Sequence, residues 1–312
     1  MATSTSTSRL GFKRGNDRQP RQKPRSIVNT LVFYGFVAMF LFAVVAPFAW
    51  MIISSISAQT ELTNTPPHWI PENPTLFRYE ALIFGPQPGQ NVPGSAARFL
   101  GAMGNSLVIS TLTTVVCMVT GSLAAYAFAR LDIPGRRGLL LGTLTAQMLP
   151  VIVIIIPLYI AMQSLNASLR LMDSWHGMIL LYSGFLLPTV IWIMDSYFQT
   201  IPRDLEEAAA IDGCTALGAF IRVIVPLSGP GLVAVSAYTF LSSWNEFLMA
   251  LIFTASKAKT ITVAVTEFST QFGVDYGLMT TGGVIGSIPP LILAFVVQRY
   301  IVAGLTAGAV KS

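Results

Sequence analysis

The chain has 312 residues, of which only 11% are charged and 53% hydrophobic, with a mean hydropathy of +0.64. A soluble domain carries about a quarter charged residues, so this composition excludes an ordinary soluble fold and marks an integral membrane protein. The net charge of +5 is concentrated near the N-terminus and reads as membrane topology, not as nucleic-acid binding.

Residues 1–26 are rich in Ser, Thr, Arg, Lys and Gln, and are expected to form a basic, disordered cytoplasmic tail. Beyond them, six stretches lack Asp, Glu, Lys and Arg: 26–60, 99–129, 138–169, 174–194, 223–245 and 276–298. A membrane-spanning helix needs about 20 apolar residues. The stretches therefore predict six transmembrane helices near 29–55, 104–129, 139–163, 177–197, 229–252 and 279–300, an all-α membrane domain over 27–303. A barrel is disfavoured, because transmembrane strands alternate polarity and Val151-Ile152-Val153-Ile154-Ile155-Ile156 does not. The apolar core of the first helix is also too long for a cleaved secretory signal.

The positive-inside rule places both termini in the cytoplasm: fourteen Lys and Arg fall inside, against Arg78, Arg98, Arg170, Lys257 and Lys259 outside. Without the N-terminal tail the ratio drops to seven against five, so the tail carries this argument. The outer link 57–102 contains Pro66, Pro67, Pro71 and Pro74, which forbid a long helix, and Trp69, Phe77 and Tyr79, which suit a lid at the interface. Its stretch 85–94 reads as flexible. The outer link 254–278 holds Lys257, Lys259, Glu267 and Asp275 and reads as solvated. Pro150 and Pro157 interrupt the third helix, Pro188 the fourth and Pro289-Pro290 the sixth; with Gly282, Gly283, Gly286 and Ser287 they suit either close packing or bending.

Between the fourth and fifth helices lies a polar island, 199–227. Pro202 suits a helix start, and Asp204, Glu206 and Glu207 sit where the helix dipole favours anions. Gly213 supplies a stop or a left-handed turn, and a second short helix from Thr215 to about Val223 leads to Pro226. The expected product is a helix–glycine–helix knob on the cytoplasmic face. The pattern Glu207-Ala208-Ala209, three residues, Gly213, then Val223-Ile224-Val225-Pro226 resembles the cytoplasmic loop by which permeases of ATP-binding-cassette (ABC) importers engage their ATPases.

The likeness extends from about residue 29 to the C-terminus. It includes Trp69-Ile70-Pro71-Glu72-Asn73-Pro74-Thr75, Ala124-Ala125-Tyr126-Ala127-Phe128-Ala129-Arg130, Trp244-Asn245-Glu246-Phe247 and the ending Gly304 to Lys311. The chain is similar to carbohydrate ABC importer permeases, most of all to the smaller permeases of maltose/maltodextrin-type systems. That resemblance implies a type I importer permease in a prokaryotic inner membrane, paired with a second permease as a heterodimer. It implies two ATPase subunits that use ATP and Mg, an extracytoplasmic sugar-binding protein, a sugar solute, and no cofactor on this chain. Glu207, Ala208, Ala209, Asp212, Gly213 and Pro226 would dock the ATPase, with Glu207 meeting a basic residue. The tail over 304–312, with Leu305, Thr306, Ala307, Gly308 and Lys311, would reach the ATPase interface. Loop 254–278 would probe the binding protein's sugar cleft.

Trp244, Asn245 and Glu246 are candidate solute contacts, since an aromatic face, an amide and a carboxylate suit a sugar. The same trio suits a gate or an inter-helix hydrogen bond equally. Asp195 reads as an interface anchor. His68 and His176 lack a metal-ligand pattern, and Cys117 and Cys214 do not make a disulfide framework. None of the five lysines follows a glycine, so there is no phosphate-binding loop and no catalytic residue is assigned. An ion-coupled secondary transporter is the alternative, with Glu246 as its carboxylate.

Overall fold

The structure is a computed structural model and describes residues 27–64, 69–90, 92–270 and 273–309. In chain order its elements are α1 (Ile27–Ile56), α2 (Gln59–Thr63), α3 (Phe77–Phe84), a 3-10 turn (Gly94–Arg98), α4 (Phe99–Arg130), α5 (Arg136–Gln147), α6 (Val151–Leu169) and α7 (Trp175–Phe198). There follow α8 (Asp204–Ile211), α9 (Ala216–Ala219), a π turn (Phe220–Ile224), α10 (Val225–Leu227), α11 (Gly229–Trp244), α12 (Leu248–Phe253) and α13 (Ile261–Thr266). A two-residue ladder of β1 (Ser269–Thr270) and β2 (Gly273–Val274) precedes α14 (Tyr276–Ala309). The chain divides into two units: residues up to Ala49, whose described part is the apolar first portion of α1, and residues from Trp50 onward.

Among the described residues, five helices are long and apolar enough to cross a membrane: Val28–Ile56, Gly94–Arg130, Val151–Leu169, Trp175–Phe198 and Tyr276–Arg299. Ala216–Leu227 and Gly229–Trp244, bent by 82° at Ser228, raise the number to six if they count as one span. Hydrophobic side chains surround these helices, and their hydroxyls turn back onto their own backbone. Thr114, Thr120, Thr239 and Ser287 each donate to the carbonyl four residues earlier, which satisfies those hydroxyls within the helix itself.

Two of the six expected helices are broken. The third divides at Met148–Pro150 into α5 and α6, because Pro150 offers no N–H to continue the α5 ladder. The fifth divides at Asn245–Phe247 into α11 and α12. By contrast Pro157, Pro188, Pro289 and Pro290 all lie inside continuous helices. The 254–278 link is less solvated than its charges suggest. It contains α13, whose Ile261, Val263 and Ala264 are buried, and the buried ring of Phe268.

The second unit is organised around α4 and α7, which pack along one another, with α11 against both and against α14. Gly121 permits that approach: a Cβ there would stand 2.7 Å from a Val190 methyl. One apolar cluster joins Cys117, Val190, Phe198, Phe220 and Ile224. A second joins Phe99, Trp244, Phe268 and Leu278, and a third joins Ile109, Met178, Met249 and Phe253. Both cysteines are free thiols, Cys117 within this core.

The links are tied down by polar contacts that the sequence did not announce. Arg78 of α3 is buried; it donates to the Ser57 carbonyl at 2.6 Å and lies 3.9 Å from Asp275 before α14. Burial pulls its pKa down, partly offset by the Asp275 charge. The Trp69 ring lies tilted against that of Trp50 at 4.9 Å, while the Tyr79 hydroxyl bonds Ser55, so two of the three aromatics of the expected lid are anchored.

Asp173 stands between α6 and α7 with φ +49, and its carboxylate accepts from the amides of Ala255, Ser256, Lys257 and Ala258. Desolvation pushes its pKa up, but the four amides outweigh it and hold the group at about 2. A depressed carboxylate stabilises the fold above its unfolded pKa, near 3.8, and loses that contribution as pH falls towards 2. Hydrogen exchange at residues 255–258 is therefore expected to stay protected and flat from about pH 8 to pH 5, and to lose protection only below about pH 4. A drop near neutral pH would assign the protection to another group.

Gly177 in the first turn of α7 is required sterically, since a Cβ would lie 1.9 Å from the Leu171 carbonyl oxygen. Gly177→Ala should cost about 1–3 kcal/mol, read as a lower melting midpoint of the detergent-solubilised protein. An unchanged midpoint would mean that the Leu171–Ser174 turn yields freely.

Candidate coupling loop and solute pathway

The segment after α7 contains an exposed Pro202, and α8 starts two residues later at Asp204, with Arg203 at the N-cap position and no side-chain cap. Pro202 thus precedes the helix instead of occupying its first turn. Asp204, Glu206 and Glu207 crowd that turn, where the dipole favours them. The helix stops at Asp212, and Gly213 turns left-handed with φ +84. The Gly213 amide donates to the Ala210 carbonyl, and the Cys214 amide to the Ala209 carbonyl at 2.9 Å. Thr215 then caps the second arm, its hydroxyl accepting from the Gly218 amide. That arm runs through α9 into the π turn and on to Pro226. A proline ring crowds the carbonyl four residues earlier, that of Arg222, and the helix widens directly ahead of it.

The knob shows a definite division of labour. Glu207, Ala208, Asp212, Gly213 and Pro226 are exposed, whereas Ala209 is buried against the second arm. Ile211, at the tip, is 87% exposed, and Leu205, Leu217 and Ile221 are exposed beside it. The exposed surface of the knob thus carries apolar side chains together with the carboxylates of Asp204, Glu207 and Asp212.

Its base is held by Glu206. One carboxylate oxygen accepts from the Tyr126 hydroxyl at 2.8 Å, and the other pairs with the Arg130 guanidinium, both residues at the end of α4. Arg130 also donates to the Ile201 carbonyl at 3.0 Å, closing a ring around the start of the loop. The Tyr126 ring lies 4.8 Å from that of Phe220 in the second arm and meets Phe198 edge-on. A further ion pair, Arg136 to Asp195 at 2.7 Å with Gln199 also bonding the carboxylate, ties α5 to α7 nearby.

Trp244, Asn245 and Glu246 sit at the break between α11 and α12; Trp244 and Asn245 line one cavity, and Glu246 does not line it. The Trp244 side chain is 3% exposed; its indole N–H donates to the Gly286 carbonyl and its ring stacks on Phe240. Glu246 is fully engaged. Its carboxylate accepts from the amides of Met249 and Ala250, capping α12, and from the Tyr182 hydroxyl at 2.8 Å. Asn245 is exposed and lines a cavity of about 370 Å³ with Phe247, Thr262, Gly283, Gly286 and Ser287. His176 bonds the Leu169 carbonyl at 2.9 Å; His68 lies outside the described residues.

Residues 117–307 match the model of a family described as the binding-protein-dependent transport system inner membrane component. The chain belongs to this family. The permease is 39% identical over 268 residues to a trehalose transport system permease protein of Mycobacterium tuberculosis, covering 85% of this chain and 92% of that protein. It is 32% identical to a trehalose/maltose transport system permease protein of Thermococcus litoralis, covering 85% and 91%. It superposes on a chain of a bacterial ABC transporter involved in alginate import with a TM-score of 0.72. That match covers 90% of this chain and 99% of the other, and at 20% identity it speaks for the fold alone.

In this permease, then, the contiguous loop pattern was legible, while its foundation was not. Tyr126 and Arg130 fall within a resembling segment and Glu206 near a helix start, but their contacts span 80 and 76 positions and leave no local signal. Ile211 reads as an ordinary apolar residue until the structure places it at the tip. Of the C-terminal contact residues, Leu305 to Gly308 continue α14 as backbone helix, and their side chains and Lys311 lie outside the described residues.

Proposed function

We propose that this permease forms half of the translocation pathway of an ATP-driven, binding-protein-dependent importer of a sugar or oligosaccharide. The observation that carries the reading is the exposed helix–Gly213–helix knob with its buried ionic base, in a chain of the permease family. The trehalose and trehalose/maltose relatives support a glycoside as solute. The chain is the transmembrane subunit and hydrolyses no ATP; that step, with its Mg, belongs to a separate ATPase.

In this reading the bent pair around Ser228 counts as one of six spans, and both termini face the cytoplasm of a prokaryotic inner membrane. A second, different permease completes the pathway, and two ATPases sit under the two knobs. The positive-inside bias supports the orientation. The tail from Leu305 to Lys311 extends towards the ATPases. Asn245 and the cavity beside the α14 glycines face the solute path, and Glu246 holds the helix break open beside it. Nothing in the comparisons favours an ion-coupled transporter, and the carboxylate that reading needs is occupied as a helix cap.

The direct test is isolation of the tagged chain from its host in mild detergent, followed by uptake assays with labelled disaccharides. Recovery with a second permease and an ATPase is expected; recovery alone and monodisperse would overturn the assignment. Within the assembled complex, Glu207→Lys should cut ATPase co-purification by at least about tenfold, because an exposed carboxylate facing a cation becomes a repulsion. Undiminished co-purification would remove Glu207 from the contact.

A further inference from the structure

The break between α11 and α12 spans Asn245, Glu246 and Phe247, and its middle residue is held from several sides. The Glu246 carboxylate accepts from the amides of Met249 and Ala250 at 2.8 and 3.1 Å, and from the Tyr182 hydroxyl at 2.8 Å. Its carbonyl accepts from the Thr262 hydroxyl at 2.8 Å. No Lys or Arg pairs with this carboxylate among the described residues, so neutral donors carry its whole stabilisation. Two amides suffice to cap α12. The third bond reaches across to the buried Tyr182 of α7 and fixes the break against that helix.

The two neighbours of Glu246 show what that fixation serves. Asn245 and Phe247 are both exposed and line the cavity of about 370 Å³, whereas Glu246 does not. The other polar side chains of the lining have committed their protons. The Trp244 indole donates to the Gly286 carbonyl, Thr262 to that of Glu246, Thr266 to that of Val263 and Ser287 to that of Gly283. The hydroxyls retain only acceptor capacity. The Asn245 side chain makes no hydrogen bond among the described residues, so it alone in the lining keeps a free donor as well as a free acceptor. Its backbone is pinned on both sides: its amide donates to the Leu241 carbonyl at 3.0 Å, closing α11, and Glu246 follows directly.

We propose that Glu246 is a positioning residue for solute transfer, fixing the break so that the Asn245 amide is presented to a hydroxyl-rich solute in the cavity. The proposal rests on the reading of this cavity as part of the solute path. An amide that is already aimed loses little freedom when a solute hydroxyl arrives, and a loosened break would lose that advantage. The committed hydroxyls of Thr262, Thr266 and Ser287 add acceptors that suit the same solute.

The test measures solute moved per ATP hydrolysed by the complete complex of both permeases and the ATPase, in proteoliposomes with the cognate binding protein. Labelled trehalose and maltose are the probes. A change that only lowered the number of folded complexes would reduce transport and hydrolysis together and leave this ratio unaltered. Asn245→Ala and Glu246→Gln should each lower the ratio at least about fivefold. The double variant should lose no more than about twofold beyond either, because both changes remove the same contact. Tyr182→Phe, which takes away one donor and keeps the helix cap, should fall between Glu246→Gln and the wild type. It carries the test by itself if Glu246→Gln does not assemble. With Asn245→Ala impaired, a wild-type ratio in Glu246→Gln or in Tyr182→Phe would overturn the positioning role and leave the cavity as solute path. Losses that multiply in the double variant would overturn it too, since Glu246 would then act apart from Asn245. A wild-type ratio in Asn245→Ala would instead sink the solute-path reading itself.

Discussion

Gly213→Val is expected to reduce uptake by at least about tenfold while leaving membrane insertion and abundance intact. The argument is one of backbone, not of space. Gly213 sits at φ +84, and a Cβ built there meets nothing within 4 Å. An L-residue in this region costs roughly 1–2 kcal/mol, and a β-branched one more. The chain can relieve that strain by changing the turn between α8 and α9, which redirects the Ile211 tip relative to Thr215 and the second arm. Docking of the proposed kind needs the knob's shape, so a change of direction is enough to uncouple it. Gly213→Asn is the discriminating companion: Asn tolerates the left-handed region, and should keep most of the uptake. If Asn and Val fail equally, the partner's surface excludes any side chain there, and the backbone argument is wrong. If Val transports normally, the knob does not dock in this shape.

How far the sequence revealed this molecule depended on the range of the interaction. Charge-free runs long enough to span a bilayer are local, and they marked every long apolar helix. The Glu207–Pro226 spacing is local too, and the Gly213 turn stands where it was expected. Breaks were harder. Pro157, Pro188, Pro289 and Pro290 look as disruptive as Pro150, yet only Pro150 ends a helix, because neighbouring packing decides whether a missing hydrogen bond is tolerated. The break at Asn245–Phe247 has no proline; it exists because the Glu246 carboxylate caps α12 from within the chain. The trio Trp244, Asn245 and Glu246 suits a sugar site, a gate or an inter-helix bond on composition alone; in the fold Trp244 and Asn245 line one cavity while the Glu246 carboxylate turns to cap α12. Asp173 and its four amides, 82 to 85 positions away, were invisible for the same reason as Arg130 and Glu206.

That last pair leads to the second large effect. Arg130 and Glu206 have side chains only 9% and 15% exposed, so their charges are held largely away from water. Removing one partner of such a pair leaves an uncompensated charge, at a cost of about 3–5 kcal/mol where burial is complete and less at this exposure. Arg130→Met should therefore release the base of the knob: Glu206 keeps only the Tyr126 hydroxyl, and the Ile201 carbonyl loses its donor. Uptake is expected to fall at least about tenfold, and protease should cut within 199–215 faster than in the wild type. Combining Arg130→Met with Glu206→Gln removes the stranded charge and should restore part of both, with a coupling energy of about 1–3 kcal/mol by double-mutant cycle. Strictly additive losses would mean that the two residues act separately. Comparison with Glu207→Lys separates seat from contact surface, because a change at exposed Glu207 should weaken ATPase binding and leave the protease pattern unaltered. If Glu207→Lys loosens the loop as much as Arg130→Met does, the two adjacent glutamates share one role, and the division between an anchored Glu206 and a presented Glu207 is wrong.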